Sequence, residues 1–359
     1  MLKKIWLSSM SIVAVTMLAE GSFIMTKGEP LKKVTTVLKQ SQTNNESTSS
    51  GTSASTSTST SNSTSKSTSN VVSNLGKLIY SIDFNKYSTG MYTNTMCKED
   101  FFAYKGENLH YRNHDGSWML DCKRGPGNST SIISDGNEKV LRVKYEANSI
   151  HATGSSGFIA EAALPKNDRP KEDINNPQTV TLTYYVKFEK GFDWVISGKL
   201  PGLAGGNLPS GGVHSKHGFS ARYSWYVLDK KNSLVSYLYV HDVPGKYGLE
   251  PTLSVSNPNT DIMNRNKNNI FEFQDNKWYK LQQSLKSNTP YKANGTEKIW
   301  IDGILVGDFK NIKFIADGMH GKYAIDRFVF STFHGGGDMR WAPSKEEYSR
   351  FKDIKIYVK

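Results

Sequence analysis

From residue 78 onward the chain is a succession of short runs rich in β-branched and aromatic residues, each bounded by clusters of Gly, Pro, Asn and Asp. This pattern constrains the fold most, because such runs form strands and such clusters form turns. No long amphipathic helical pattern competes with it. The predicted strands lie at 78–84, 139–146, 179–188, 219–228, 234–241, 278–285, 298–301, 327–333 and 354–358.

Alternation within these runs indicates how they pack. In 179–188, Leu182 and Val186 fall on one face and Thr183 and Lys187 on the other, because successive side chains of a strand point to opposite sides. An Asp-Gly pair between two apolar runs, at 302–303, has the composition of a hairpin turn. Many such strands in one domain predict an all-β fold, a jelly-roll β-sandwich of two antiparallel sheets.

The first 77 residues differ in composition from the rest. Two lysines, an apolar run and small residues give residues 1–21 the pattern of a signal peptide, with a signal anchor as the alternative. The Ser/Thr-rich tract within 22–77 cannot bury enough apolar area to fold and predicts a disordered linker, which leaves 78–359 as the folded domain. We expect a secreted, extracellular protein, free of the membrane after signal cleavage, whose tract spaces the domain or tethers it to a cell wall.

Export bears on the two cysteines, Cys97 and Cys122. An oxidising compartment preserves disulfides, so we predict that the two pair; two free buried thiols are the alternative. Asn-x-Ser/Thr sequons, which would accept glycans in a eukaryotic host, lie at Asn45, Asn62, Asn128 and Asn294.

The chain is basic, with a net charge of +12, and residues 78–359 hold 37 basic and 30 acidic side chains. A basic exported domain suits an anionic partner such as a polyuronate, an anionic lipid or a nucleic acid. Nucleic acid is the weakest of these, because the sequence has no Arg-rich helix, zinc-ligand spacing or RNA-recognition motif. We therefore expect no nucleic-acid partner.

Three short motifs supply two cations, a hydroxyl and two phenols. They are Lys199 in Gly-Lys-Leu-Pro-Gly, Ser220-x-Arg222 and Tyr237-x-Tyr239. Residues two apart in a strand leave the same face, and the Asp-Lys-Lys-Asn segment between the last two motifs predicts a hairpin turn, so four of these side chains are expected to share one face. Taken singly, the motifs are typical of a turn, a solvated face and cross-strand packing.

In their order along the chain, these motifs resemble those of polysaccharide lyase family 14, the eukaryotic and viral alginate and glucuronan lyases, with a weaker likeness to the glucuronan lyases of family 20. The resemblance covers residues 78–359 and extends to Trp-Ile-Asp-Gly at 300–303 and Ser-Thr-Phe-His-Gly-Gly-Gly at 331–337. It implies a β-jelly roll that cuts an acidic polysaccharide by β-elimination with no obligatory redox cofactor. We expect no cofactor and a monomeric protein. The family often carries Cys near the segment 210–217, which here reads Ser-Gly-Gly-Val-His-Ser-Lys-His. The catalytic residues that the resemblance implies are Lys199, Ser220, Arg222, Tyr237 and Tyr239.

The implied chemistry assigns a task to each of these groups. β-Elimination from a 4-linked uronate removes the C5 proton, which the adjacent carboxylate makes poorly acidic. Arg222 is the expected group to neutralise that carboxylate, since a guanidinium stays charged and grips carboxylates with two hydrogen bonds. Tyr237 and Tyr239 are assigned to proton transfer, with Lys199 as a competing base, and Ser220 to hydrogen bonding. Which group is base and which is acid stays open.

Three histidines are candidates for substrate binding. His214 and His217 lie in a Gly-rich loop between the motifs, where either is a base that titrates near neutrality or a surface residue. His334 stands beside three glycines and either contacts substrate or holds a strand-end turn. The His-x-x-His spacing lacks a convincing third ligand, so we expect no metal.

Two other classes of protein use similar folds. A non-catalytic protein that binds acidic polysaccharide or associates with a cell wall could be built on the same sandwich. A glycoside hydrolase would need two carboxylates flanking the scissile bond, and Glu161 is the strand acid that fits best. Products would separate the three, because only a lyase leaves unsaturated ends.

Tryptophans could add sugar-stacking surfaces. For Trp278 and Trp300, which lie in strand-like runs, packing in the core is the default expectation.

Overall fold

The computed structural model describes residues 75–101, 122, 124–153, 155–164, 173–243 and 247–359. Within them the chain forms strands, one short α-helix, α1 (Asn94–Asp100), and single 3-10 turns at Phe84–Lys86 and Met339–Trp341. The strands are β1 (Lys77–Ile82), β2 (Gly90–Met91), β3 (Thr130–Asp135), β4 (Glu138–Tyr145), β5 (Phe158–Ala163), β6 (Thr179–Phe188), β7 (Ser197–Gly206), β8 (Gly218–Leu228), β9 (Lys231–Tyr239), β10 (Tyr279–Lys286), β11 (Gly295–Ile301), β12 (Ile304–Ile312), β13 (Arg327–His334) and β14 (Glu347–Val358).

These strands build two antiparallel sheets. The large sheet has the order β12-β11-β10-β6-β14-β4-β3-β2, and β1 also pairs with β14. The small sheet has the order β5-β13-β7-β8-β9. The chain passes from one sheet to the other several times, as in a jelly roll. The predicted all-β sandwich of two antiparallel sheets is confirmed.

All nine predicted runs overlap observed strands, and the clearest omission is β7. Its sequence, Ser-Gly-Lys-Leu-Pro-Gly-Leu-Ala-Gly-Gly, has no β-branched residue and contains residues that usually interrupt strands. The sequence pattern also missed α1, β2, β3 and β5.

The core lies between the two sheets, and β6 shows how alternation forms it. Leu182 and Val186 are fully buried, and Tyr184 on the same face donates a hydrogen bond across the sandwich to the carbonyl oxygen of Pro201 at 3.2 Å. On the opposite face Lys187 forms an ion pair with Asp135 of β3. The two faces of this strand are those that the sequence predicts.

The expectation that Trp278 and Trp300 pack in the core is wrong. Both are only partly buried. Trp278 lies under the ammonium groups of Lys187 and Lys352, at 4.9 and 5.0 Å from its ring centroid. Trp300 alternates in β11 with the buried Ile299 and Ile301, so it lies on the outer face of the large sheet.

The predicted disulfide is confirmed, because Cys97 in α1 is bonded to Cys122 with Cα atoms 6.0 Å apart. The predicted signal peptide (1–21) and nearly all of the predicted linker (22–77) lie outside the described residues, as do the sequons at Asn45 and Asn62. In the described part of the chain, none of the helices has the length and apolar character needed to cross a bilayer.

Candidate active site

The hairpin of β8 and β9 carries four of the five motif residues. Its register pairs Arg222 with Tyr237 and Ser220 with Tyr239, so the four side chains share one face, as predicted. Tyr223 points the other way and donates a hydrogen bond to a backbone carbonyl of β10 in the large sheet. The Arg222 face is therefore the outer face of the small sheet.

A bulge in β7 brings Lys199 beside this hairpin. The register between β7 and β8 shifts at Pro201-Gly202. The carbonyl of Pro201 accepts a hydrogen bond from Tyr184, and the N–H that follows Gly202 donates to the side-chain oxygen of Gln283 at 3.1 Å. Both partners come from the large sheet, and they satisfy backbone groups that the bulge removes from the ladder.

This bulge requires glycine at position 202, because there is no space for a Cβ atom. A Cβ atom there would lie 2.2 Å from the carbonyl oxygen of Ala221 and 2.5 Å from the Cα of Arg222, whereas real Cβ contacts stay beyond 3.0 Å. Its φ is not positive. The interpretation of Lys-Leu-Pro-Gly as an ordinary turn is thus corrected, because the segment lies inside a strand whose glycine packs against the backbone of Arg222.

Lys199 is partly exposed and lies close to two groups of the hairpin. Its Nζ donates a hydrogen bond to Ser224 Oγ at 3.0 Å and lies 3.7 Å from the ring centroid of Tyr237. Burial of the amine and the positive charge of Arg222 lower the pKa of Lys199 to about 7, because both disfavour the ammonium form. Near neutral pH a large share of Lys199 is therefore a free amine that can accept a proton.

Arg222 supplies a buried guanidinium that has no carboxylate partner among the described residues. The residue is 6% exposed, and its Nε lacks a hydrogen-bond partner in that part of the chain. Burial lowers the pKa of Arg222, but a guanidinium keeps its charge in proteins. Glu161 acts on Arg222 electrostatically but is ion-paired with Arg327. A buried cation that lacks a direct ion pair attracts an anion, and the planar fork of arginine matches a carboxylate.

Tyr237 and Tyr239 form a hydrogen-bonded pair of phenols with their oxygens 3.0 Å apart. The backbone N–H of Gly212 donates to the Tyr239 oxygen at 2.9 Å. Burial and the neighbouring Tyr239 raise the pKa of Tyr237, so Tyr237 stays protonated at neutral pH. The pair is thus suited to donating a proton.

The loop at 207–217, which follows β7, lies over part of this face. Ser220 is fully buried, and its hydroxyl donates to the carbonyl oxygen of Pro209 at 2.8 Å, so this hydrogen bond holds the loop. His214 in the same loop places its ring 5.3 Å from that of Tyr239, and its Nε2 is buried without a hydrogen-bond partner among the residues described. The loop therefore adds an imidazole to the site.

The other two candidate histidines lie in different surroundings. His217 is exposed, and its Nδ1 is 3.2 Å from the hydroxyl of Tyr323. His334 is 1% exposed, stacks on Phe192 and bonds through Nε2 to the carbonyl oxygen of Asp193 at 2.9 Å. Burial lowers the pKa of His334 to about 4. An enclosed, neutral imidazole fits the structural alternative for His334 better than contact with a polymer.

Sequence reasoning missed two residues of the site. Ser224, which accepts the hydrogen bond from Lys199, follows Arg222 by two positions, so the same alternation could have identified it. Glu250 lies in a segment that pairs with β9, and its carboxylate interacts with Lys199 and, at 3.2 Å, with Arg265. Burial raises the pKa of Glu250. Its local sequence carries no feature that predicts this position.

Glu161, the acid considered for a hydrolase, forms a buried ion pair with Arg327 at 3.0 Å. A carboxylate held in this way is poorly placed to protonate a glycosidic oxygen. Within the described ranges, no three side chains of His, Cys, Asp or Glu come together as the ligands of a metal ion would.

The profile of the polysaccharide lyase 14 family matches residues 133–354, a span that contains the bulge, the hairpin and the loop. The chain belongs to the polysaccharide lyase 14 family. This polysaccharide lyase thus has the fold, the motifs and the family that its sequence indicates. A search of curated protein sequences found no significant match.

Solved structures similar to this lyase share its fold. Alginate lyase Aly36B is 24% identical over 77% of this chain and 96% of its own, with a TM-score of 0.56. An Aly36B variant in complex with alginate tetrasaccharide is 22% identical over 77% of this chain and 96% of its own, with a TM-score of 0.57. Alginate lyase vAL-1 from Chlorella virus is 21% identical over 65% of this chain and 90% of its own, with a TM-score of 0.51.

Proposed function

We propose that this protein is a secreted lyase that cleaves a 4-linked polyuronate, alginate or glucuronan, by β-elimination. The observation that carries the proposal is the buried guanidinium of Arg222, which has no carboxylate partner among the described residues and lies beside an amine and two phenols. Family membership supports the lyase chemistry. The alginate tetrasaccharide in the complex of the similar Aly36B variant supports an acidic polysaccharide as substrate.

Arg222 binds the uronate carboxylate in this mechanism. Neutralising that charge makes the C5 proton more acidic, because the negative charge that develops as the proton leaves is stabilised by a fixed cation. The hydrogen bonds of the guanidinium are formed in advance within a buried site, where they are stronger than in water.

Lys199 takes the C5 proton on its neutral amine. Its pKa of about 7 provides the free base at neutral pH. The electron pair of the C5–H bond forms the C4–C5 double bond, and the C4–O4 bond breaks. Tyr237, whose pKa is raised, delivers its proton to the departing O4 and is reprotonated through Tyr239. One product thus gains an unsaturated end, and no water is consumed.

The direct test is ultraviolet absorbance of unsaturated ends, measured on polymannuronate, polyguluronate and glucuronan. Wild-type protein should release them from at least one polymer. Arg222→Lys, which keeps the charge and loses the fork, should lower kcat/KM by about 100-fold or more. The exposed Arg340 offers the matched control, Arg340→Lys, which should leave kcat/KM unchanged.

Other outcomes would assign the protein to the competing classes. Retention of polymer without new ends would indicate a non-catalytic binding protein. New reducing ends without ultraviolet absorbance would indicate a hydrolase.

Secretion is part of the proposal. The disulfide between Cys97 and Cys122 supports it, because oxidising compartments preserve such bonds. Expression in the native host should place the protein outside the cell with its mature N-terminus near residue 22. Full-length protein retained inside the cell would contradict this.

A further inference from the structure

The outer face of the large sheet, on the side of the sandwich opposite the active site, carries a groove across β6, β10 and β11. Two cross-strand rows define it. Ser284 stands between Thr181 and Lys298, and Gln282 lies beside Trp300. Lys286 follows Ser284 by two residues on the same face. We call the depression formed by these residues the outer groove, and its volume of about 680 Å³ lies in the range of ligand sites.

Residue size explains why a depression forms here. Thr181 and Ser284 are small, and their hydroxyls hydrogen-bond to each other at 2.6 Å, so they make a low polar floor. Lys298 and Trp300 have long side chains that stand along one side of it. Trp300 is only partly buried, and among the residues described it makes no ring contact with another aromatic or cationic side chain, so part of its indole is open to a ligand.

The charge of the outer groove is positive. Lys286 forms no ion pair with the described residues. Lys298 and Lys310 share one carboxylate, that of Asp308, at 3.7 and 3.8 Å. Lys310 and Asp308 lie outside the described groove lining, in which Lys286, Lys298 and Lys359 are the charged side chains. Such a surface favours an anionic ligand.

These groups match an acidic polysaccharide in three respects. Ammonium groups pair with uronate carboxylates, side-chain hydroxyl and amide groups bond to sugar hydroxyls, and an exposed indole face packs on the apolar face of a sugar ring. The described lining of the groove contains lysines but no tyrosine, histidine or arginine, so none of its amines has the phenol and guanidinium neighbours that Lys199 has. It therefore has the means to hold a chain but lacks those for cutting one.

We propose that the outer groove is a second, non-catalytic binding site for the acidic polysaccharide that the enzyme cleaves, an inference that rests on the proposed function. A polymer held there stays at high local concentration near the active site, since a second contact on the same molecule is intramolecular. Short oligosaccharides cannot reach both faces, so binding in the outer groove does not raise their concentration at the active site.

The test compares three variants by retardation in native gels containing polymannuronate, polyguluronate or glucuronan, in a Lys199→Ala background that prevents cutting. Lys286→Glu and Trp300→Ala should each weaken retention by about three- to tenfold. Lys292→Glu changes the charge equally at an exposed position outside the groove and should weaken it by less than twofold. When Lys199 is restored, the kcat/KM of Lys286→Glu and of Trp300→Ala should fall on polymer and stay constant on trisaccharide.

Two results would overturn the outer groove as a site. One is retention of all three variants equal to that of the Lys199→Ala parent, and the other is a loss in Lys292→Glu equal to that in the groove variants. Either result is distinguishable from failure of the proposed function, in which wild-type protein releases no unsaturated ends from any polymer.

Discussion

Replacing Gly202 with alanine should damage the active site without touching a catalytic side chain. The new Cβ would lie 2.2 Å from the carbonyl oxygen of Ala221 and 2.5 Å from the Cα of Arg222. Contacts of this kind require at least 3.0 Å, and both atoms belong to backbone, so β8 must move by about 1 Å. The same carbonyl accepts a hydrogen bond from Gln283 at 3.0 Å, which the movement would also strain.

Two magnitudes follow for Gly202→Ala. Inserting a methyl group into a close-packed site typically costs about 1–3 kcal/mol of unfolding free energy. A displacement of about 1 Å at Arg222 should lower kcat/KM by roughly 100-fold. The loss of activity comes from the displaced Arg222 and not from unfolding, so it should persist at temperatures where the variant is fully folded.

The assay combines denaturant unfolding with initial rates of unsaturated-end formation. Gly337→Ala is the matched control, because Gly337 has open space around its would-be Cβ and no positive φ. It should change neither quantity. Gly202→Ala with kcat/KM within twofold of wild type would refute the assignment of this glycine to the close approach of β7 and Arg222.

The pKa of Lys199 and the disulfide give two further predictions. Because Lys199 must be neutral to accept a proton, kcat/KM should fall about tenfold per pH unit below its pKa. The Glu250 carboxylate favours the ammonium form, so Glu250→Gln should move this fall to lower pH, and an unchanged pH–rate profile would contradict the coupling. Replacing Cys97 and Cys122 together by serine opens a cross-link spanning 25 residues and should cost about 3.5 kcal/mol in denaturant unfolding. A loss of unfolding free energy below about 1 kcal/mol would contradict this stabilisation by the disulfide.

The local sequence pattern was sufficient to predict which side chains of the active-site hairpin share a face. Alternation in β8 and β9 depends only on the pleat, so the sequence alone places Ser220 and Arg222 on one face together with Tyr237 and Tyr239. The same rule extends to Ser224, which lies outside the three motifs.

Other features of the fold and the site depend on contacts between residues that are distant in sequence, so the local pattern does not predict them. β7 is a strand despite Pro201 and its glycines because Tyr184 and Gln283 of the other sheet satisfy its bulge. The position of His334 follows from aromatic packing with Phe192, which a Gly-rich neighbourhood does not reveal. The outward position of Trp300 follows from alternation in β11. The expectation that it packs in the core relied on the hydrophobicity of tryptophan and not on this alternation.

The most direct measurement is the mass of the products from exhaustive digestion of a purified polyuronate. β-Elimination predicts that each cut leaves one fragment whose non-reducing end lacks a water molecule relative to a hydrolysis product. In the early, linear part of the same digestion, Arg222→Lys at matched protein concentration should form these dehydrated ends about 100-fold more slowly than wild type. Fragments from wild-type protein that all carry fully hydrated ends would contradict a lyase mechanism built on Arg222, Lys199 and the tyrosine pair.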